Sequence, residues 1–367
     1  MKPIALSCAL LALAAAQAET PRDRVALFIR SAAYDRLKTE IERYKRDVQA
    51  RFPVRLQIVK GDWANPEEVR DAVKRCYKED RVTGVVLVGG VPMHRFHMHD
   101  FDNPDPLYYE DFDLRFVSSS GREVPDAYVG APDLKLWVAN LRAVEQDGDD
   151  GIEQLRAFLD KTHAYYTGKQ KIERRALAVT GSDWPDGAEI FAKNVARPIF
   201  GPDGCDVLSC KAASLEALRD AFAKHTYTVF YIQVHSTCTR QDMDTGGTIW
   251  SKEIEQIPTG AVFIVNHGCS TCNWSKAIAD KGRNTCMSWV FGKGVGEAVM
   301  GNVRTGMVYG QDALYERILA GDYLGRAYFA AKKSAEDEMH REYPNGDVVS
   351  GVTFVGNPFV TLRPGRG

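Results

Sequence analysis

The chain has 367 residues, of which 47 are lysine or arginine and 49 are aspartate or glutamate, so its formal net charge is −2. This balance excludes the strongly basic surface that nucleic-acid binding requires. At 44% hydrophobic and 26% charged residues, the composition is that of a globular protein with one large core or two lobes.

The amino terminus has the features of a secretory leader. Lys2 is followed by apolar residues 4–15 and by an A-x-A cleavage site at 16–18. A lipoprotein signal ending at Cys8 is the alternative, but it leaves too short an apolar segment before the cysteine. No later stretch could span a bilayer. Residues 1–18 are therefore predicted to be a signal peptide, and the mature chain to be a secreted or periplasmic monomer.

Seven cysteines follow residue 18, and an odd number leaves at least one thiol free in an oxidising compartment. Cys76 shares a helical face with apolar residues and is expected to be a small buried side chain. Disulfides are expected between Cys205 and Cys210 and within one pair among Cys238, Cys272 and Cys286.

The first third of the chain predicts a β-α-β-α-β unit with a parallel sheet. Apolar residues recur at helical spacing from Leu37 to Val48 and, after Pro66, up to Cys76. The predicted strands of this unit are Val25–Arg30, Val54–Val59 and Gly84–Gly90.

A surface loop rich in acids and aromatics is expected at Asp100–Asp113, near a boundary between two subdomains. We predict an amino-terminal α/β subdomain at 19–125 and a carboxy-terminal subdomain at 126–367 with a second parallel sheet. The predicted elements of the second part are helices at Gly151–Tyr166, Leu215–Ala223, Lys252–Ile257 and Tyr323–Met339, and strands at Leu177–Gly181, around Phe354 and around Val360.

Two hydrophobic runs of the second part end in reactive side chains. One run, Val229–Val234, leads into His235, and the other, Ala261–Val265, leads through His267 to Cys269. If the runs are neighbouring parallel strands, an imidazole and a thiol emerge side by side at their carboxyl ends. A cysteine attacks as thiolate, which a nearby histidine can generate. The backbone amides of Ser236 and Cys269 would then supply the oxyanion hole.

Around these residues the chain resembles the gingipain-type cysteine peptidases of the caspase-like clan. The resemblance implies a caspase-like three-layer α/β sandwich, with mostly parallel sheets flanked by helices, in two side-by-side subdomains. It also implies a secreted endopeptidase that needs no cofactor and cleaves protein or peptide substrates through a Cys269 thioester, with His235 as general base. Six further segments match in order over nearly the whole mature chain: Val85–Pro92, Leu107–Asp113, Pro125–Gly130, Gly301–Gly306, Leu324–Ala327 and Phe354–Pro358.

The resemblance has departures and gaps. Ser236 stands where the clan has glycine after the histidine, and its side chain could crowd the oxyanion turn, so a catalytically degenerate binding protein on the same scaffold is the alternative. Glu145 is a weak candidate for orienting the histidine and equally a solvated loop residue. Asp242 and Asp244 lie where a specificity pocket could be, or on a loop surface.

Other interpretations of the same residues stay open. His267 could pair with Cys269 if the strand bends, and Cys272 has redox-motif spacing from Cys269. His94, His97 and His99, followed by Asp100, could bind a transition metal or could line a cleft or a solvated segment. The carboxylates of Asp100–Asp113 could hold a structural Ca²⁺ ion, as members of the resembled family do, or could be solvated.

Overall fold

The computed structural model describes residues 23–98, 101–143, 149–209, 212–243, 246–258, 260–275, 284–306, 311–342 and 351–362. Its centre is one ten-stranded sheet in the order β10-β9-β11-β15-β16-β17-β8-β3-β1-β2. The strands are β1 Asp23–Arg30, β2 Val54–Gly61, β3 Gly84–Val88, β8 Trp137–Leu141, β9 Glu173–Thr180, β10 Cys205–Ser209, β11 Tyr227–Gln233, β15 Ala261–Asn266, β16 Ala298–Asn302 and β17 Val352–Gly356.

Three small sheets lie beside the large one. Two are hairpins, and the third has three strands in the order β12-β13-β14. Their strands are β4 Arg95–Met98, β5 Phe101–Pro104, β6 Arg115–Val117, β7 Ala127–Val129, β12 His235–Ser236, β13 Arg240–Asp242 and β14 Thr248–Trp250.

The large sheet consists of two parallel blocks that run in opposite directions. We call β2, β1, β3, β8 and β17 the β1 block, and β16, β15, β11, β9 and β10 the β11 block. Neighbours within each block are parallel, and the blocks meet at the antiparallel pair β16–β17. Because of this reversal, the carboxyl ends of the two blocks lie at opposite edges of the sheet.

Helices cover both faces of the sheet. Two of the helices continue into π-helical turns, at Cys76–Asp80 and at Ala192–Ala196. The helices are α1 Ser31–Arg51, α2 Pro66–Arg75, α3 Leu107–Glu110, α4 Asp149–Tyr166, α5 Gly187–Phe191, α6 Arg197–Phe200, α7 Leu215–Lys224, α8 Ser251–Ile254, α9 Thr285–Phe291, α10 Gln311–Leu319 and α11 Leu324–Glu342. Among the described helices, none is long and apolar enough to cross a bilayer.

The strand β1 shows why both faces need cover. Successive side chains point to opposite faces, so Leu27 belongs to the core under α1, whereas Phe28 belongs to the second core under α2. Local signals start the helices. The side chain of Asn65 accepts from the Glu68 amide at 3.0 Å before α2, and that of Ser214 accepts from the Ala217 amide at 3.0 Å before α7.

The structure confirms a mixed α/β fold with a large, mostly parallel sheet flanked by helices, and it does not confirm a caspase-like arrangement. The prediction of a separate second sheet is wrong, because β17 pairs with β8 and joins both blocks. Asp100–Asp113 is not only loop, since β5 and α3 lie within it. No strand forms around Val360 in the described part of the chain. The boundary at 125/126 stays a prediction.

Candidate functional site

The strand ends predicted to carry the chemistry are neighbours. β11 and β15 are parallel, with Tyr231 opposite Val265. The amide of His267 donates to the carbonyl of Ile232 at 2.9 Å, which extends the pairing beyond β15. The carboxyl edge of the β11 block therefore gathers side chains from both runs, as the sequence predicts.

His235 lies at this edge, in β12, and its side chain is 56% exposed. Its Nε2 lies 2.7 Å from Oδ2 of Asp183, which is also exposed. The His235 ring is 5.0 Å from the ring of Trp184. His235 thus holds the turn after β9 through Asp183.

Cys269 is bound to other partners. Its Sγ accepts a hydrogen bond from the Gly306 amide at 3.2 Å, and its carbonyl accepts from Ser236 Oγ at 3.0 Å. Ser236 packs so closely that a Cβ on Gly268 would lie 2.0 Å from its Oγ. Among the described residues, no hydrogen bond joins the His235 ring to the Cys269 sulfur. The oxyanion role of the Ser236 and Cys269 amides stays a prediction.

The structure shows which of the described cysteines form a disulfide and which are free. Cys272 and Cys286 form a disulfide, which is one of the expected bracing pairs and leaves Cys272 without a reactive thiol. Cys205 is a free thiol whose pKa burial raises to about 12, so the expected pairing with Cys210, a residue outside the described part, is wrong. Cys76 is only partly buried, contrary to expectation, and burial raises the pKa of its thiol.

The second histidine near the thiol is also engaged. Nε2 of Gln311 lies 2.6 Å from Nε2 of His267. The centroid of the His267 ring lies 5.1 Å from that of the Tyr231 ring. A neutral imidazole nitrogen accepts from an amide N–H. His267 therefore belongs to the polar groups beneath α10.

The histidine segment makes protein contacts. His94 Nδ1 lies 3.2 Å from Asp105 Oδ2, and its ring stacks on Tyr108 at 3.8 Å. His97 Nδ1 lies 2.9 Å from Asp102 Oδ1. Within the ranges that the structure describes, no group of three or more histidine, cysteine or acidic residues is placed to hold a metal ion. His99 and Asp100 lie outside those ranges.

Two acidic side chains of the Asp100–Asp113 segment form contacts within the protein. Asp111 accepts from the amides of Asp113, Leu114 and Asp133, and Glu110 pairs with Lys332. A structural Ca²⁺ ion in this segment stays a prediction.

The remaining acidic candidates give no additional site. Asp242 accepts from Thr248 Oγ1 at 2.9 Å within the small sheet. Glu145 and Asp244 lie outside the described residues.

A cleft opens beside these residues, at the carboxyl ends of β9 and β11. Its volume is about 360 Å³, within the range of small-molecule sites. We call it the Trp184 cleft. It is lined by Trp184, Pro185, Asp186, Gly187, Ile190, Phe191, Asn194, Val195, Tyr231, Gln233, Gln311, Asp312 and Tyr315.

Aromatic rings form much of the cleft wall. Phe191 and Tyr231 stack with ring centroids 4.5 Å apart at 18°, and Tyr315 meets Phe191 edge-on at 5.7 Å. Trp184 is held by a turn in which its amide donates to the Gly181 carbonyl at 3.1 Å. Such rings offer broad apolar faces at fixed positions.

Gln233 and Gln311 provide hydrogen-bonding groups in the cleft wall. Tyr231 donates its hydroxyl to Gln233 Oε1 at 2.7 Å, and burial raises the pKa of Tyr231 above 10. Gly187 is required beside this pair, because a Cβ there would lie 2.9 Å from Gln233 Oε1. Gln311 reaches His267 from the other side. The wall is thus built by mutual contacts between strands and α10.

The hydroxyl of Tyr315 is the exception in this wall. Tyr315 is 6% exposed, and its buried hydroxyl has no hydrogen-bond partner among the described residues. Burial, followed by the nearby Tyr231, raises the pKa of Tyr315 well above 10, so the hydroxyl stays protonated. An unpaired buried hydroxyl costs about 1–3 kcal/mol.

The sequence patterns do not predict this cleft. Trp184 follows the predicted strand Leu177–Gly181 by three residues, so its place at a strand end was a usable signal. Tyr315 had no such signal, because it reaches the cleft from a distant helix. The tertiary structure brings these two side chains together.

No protein-family model and no curated protein matches the chain. Solved structures with similarity include a periplasmic ribose ABC transporter protein from Conexibacter woesei, at 14% identity over 80% of this chain and 85% of that one, with a TM-score of 0.20. A leucine-binding protein from Thermotoga maritima has 11% identity over 90% and 77%, with a TM-score of 0.19. An ABC transporter solute-binding protein from Clostridium phytofermentas, with bound L-rhamnose, has 10% identity over 92% and 94%, with a TM-score of 0.20. TM-scores this low do not show that this chain shares the fold or the ligand of those proteins.

The prediction of a gingipain-type cysteine endopeptidase is wrong. The geometry contradicts the predicted catalytic pair, since His235 is bonded to Asp183 and the Cys269 sulfur to the Gly306 amide.

Proposed function

We propose that this protein is a binding protein that holds a small organic molecule in the Trp184 cleft. The observation that carries the proposal is the cleft itself, about 360 Å³ in volume, whose wall combines the aromatic rings of Trp184, Phe191 and Tyr231 with the amides of Gln233 and Gln311. Small-molecule sites are concave and mostly apolar, with a few polar groups that orient the ligand, and this wall has that composition. The cleft's position at strand carboxyl ends supports the same function.

We place this function outside the cytoplasm, in the periplasm or the medium. The leader pattern at 1–18 supports export, although those residues lie outside the described part. The Cys272–Cys286 disulfide supports it independently, because such bonds persist in oxidising compartments.

Tryptophan fluorescence tests the proposal, since Trp184 is part of the wall. A library of small metabolites is screened against the purified mature protein for a change in both fluorescence and melting temperature. The expected result is a saturable fluorescence change for at least one compound that disappears in Trp184→Phe. Trp250→Phe is the matched control, because Trp250 is exposed and lies outside the cleft lining. The guanidinium carbon of Arg240 lies 5.8 Å from the centroid of its ring.

Two outcomes would overturn the proposal. One is a screen in which no compound changes either signal. The other is a fluorescence change that persists in Trp184→Phe and is lost in Trp250→Phe, which would place the ligand elsewhere.

A further inference from the structure

The charges of the Trp184 cleft restrict its ligand. Its lining includes Asp186 and Asp312 and contains no lysine, arginine or histidine. Both carboxylates are exposed, and neither forms an ion pair with a described residue. An anion would meet two acids and no balancing cation there, so anionic ligands are disfavoured.

The two acids do not require a cationic ligand. Asp312 lies in the first turn of α10, and Asp186 immediately precedes α5. Acidic residues at helix starts offset the positive end of the helix dipole. The helix dipoles offset part of this negative charge, so the acids need no cationic partner, and their carboxylates remain available as hydrogen-bond acceptors.

The two glutamines leave a donor and an acceptor in the cleft wall. Gln233 uses Oε1 to accept from Tyr231, which leaves its Nε2 to donate. Gln311 directs Nε2 to His267, which leaves its Oε1 to accept. A ligand that fits must present both donors and acceptors around its edge.

We infer that the ligand is an uncharged, polyhydroxylated molecule of the carbohydrate class. This inference rests on the proposed function and names its ligand. One C–H face of the sugar ring packs on Trp184, because aromatic faces attract the weakly positive C–H groups. The sugar hydroxyls donate to Asp312 and Gln311 Oε1, and they accept from Gln233 Nε2.

Calorimetric titration distinguishes this class from the others. The mature protein is titrated with glucose and sucrose as neutral sugars, glucuronate as an anionic sugar, choline as an organic cation and adenine as a neutral heterocycle. We expect a neutral sugar to bind, with a Kd that hardly changes between low and high salt, since an uncharged ligand is not screened. Glucuronate should bind at least about tenfold more weakly than glucose.

The variants separate ligand contacts from folding. Asp312→Asn should weaken sugar binding about tenfold while leaving the melting temperature of the unliganded protein nearly unchanged, because Asp312 is exposed. Asp220→Asn, at an exposed position outside the cleft lining, should change neither quantity.

The failures of the two proposals differ. Binding of choline or adenine with no response to either sugar overturns the carbohydrate class and leaves the binding function intact. Sugar binding that is unchanged in both Trp184→Ala and Asp312→Asn places the sugar outside the cleft and overturns the inference. No response to any probe, together with a negative library screen, overturns both.

Discussion

Each of the two blocks has a buried asparagine at its carboxyl edge. The two asparagines differ in how completely their side-chain amides are hydrogen-bonded. Asn357, just after β17, accepts from the Tyr44 and Tyr166 hydroxyls and donates to Glu297, so both ends of its amide are used. Asn266, the last residue of β15, accepts from Gln241 and from the Gly268 amide, but its Nδ2 has no partner among the described residues.

Further polar atoms at the β11 edge share this state. Thr180 Oγ1, Gln241 Oε1 and the Tyr315 hydroxyl are buried and without a partner in the described part of the chain. Buried polar groups are normally satisfied, and unsatisfied ones concentrate where a ligand or another function compensates. Glu297 Oε1, at the carboxyl edge of the β1 block, is also buried and without a partner in the described part of the chain. Unpartnered polar atoms therefore occur at both edges, and the difference between the edges lies in the asparagine, which is fully bonded only in the β1 block.

The largest expected effect comes from breaking the buried ion pair that joins α3 to α11. Lys332 donates to Glu110, both side chains are about 1% exposed, and Glu110 also accepts from the Val138 amide. Lys332→Met strands a buried carboxylate, so we expect a loss of about 3–5 kcal/mol in the free energy of unfolding. Urea denaturation measures it. Lys333→Met, at an exposed neighbouring position, is the control and should lower the free energy of unfolding by less than about 0.5 kcal/mol. Equal losses in the two variants would show that the buried ion pair is not the cause.

The disulfide should matter next, because it restrains the loop that follows Cys269. Cys272 and Cys286 are 14 residues apart, and closing a loop of about 15 residues contributes roughly 3 kcal/mol. The double variant Cys272→Ala/Cys286→Ala should lose that amount in denaturation. Hydrogen exchange should rise mainly at the β11 edge. Cys205→Ala is the control, and an exchange increase spread over both blocks would contradict a local role.

The carboxyl edge of the β1 block should show its own pH dependence through Glu297. Burial raises the pKa of Glu297 to about 7, although the neighbouring Lys161 lowers it, and burial lowers the pKa of Lys161 to about 8. A raised carboxyl pKa means that the stabilisation is complete below about pH 4.5 and is lost as the pH rises towards 7. Lys161 stays protonated in this window, so its contribution is constant there.

Glu297→Gln removes this titration. The free energy of unfolding of the wild type, relative to this variant, should therefore fall by on the order of 1–3 kcal/mol between pH 4.5 and 7. Urea denaturation across that pH range checks it, with Glu216→Gln at an exposed position as control. A difference between wild type and Glu297→Gln that is flat with pH would refute the assignment.

The smallest expected effects are those of the helix caps, one near each block. Asn65→Ala removes the cap of α2, and Ser214→Ala removes that of α7. Each should cost about 1 kcal/mol, since one amide loses its acceptor. Neither should change ligand binding. A cap variant that weakens the fluorescence response of Trp184 would show that the cleft depends on helix stability in general.

Much of the fold could be predicted from local sequence. β1, α1, β2, α2 and β3 lie where apolar periodicity, Pro66 and paired glycines predict them, and β11 and β15 lie close to the predicted hydrophobic runs. Burial on both faces of a parallel strand leaves an uninterrupted apolar run, which is visible without a structure. Short elements such as β10, α5 and α10 were missed, because few residues carry their pattern.

The sequence by itself determined the class of fold, the neighbouring ends of β11 and β15 and one disulfide partnership among a small set. Only the tertiary structure decided that one sheet reverses direction at β16–β17, that His235 bonds to Asp183, and that Tyr315 meets Trp184 in a cleft. The physical reason is range: strand and helix patterns arise from contacts a few residues apart, whereas hydrogen-bond partners and cleft walls depend on packing between distant segments.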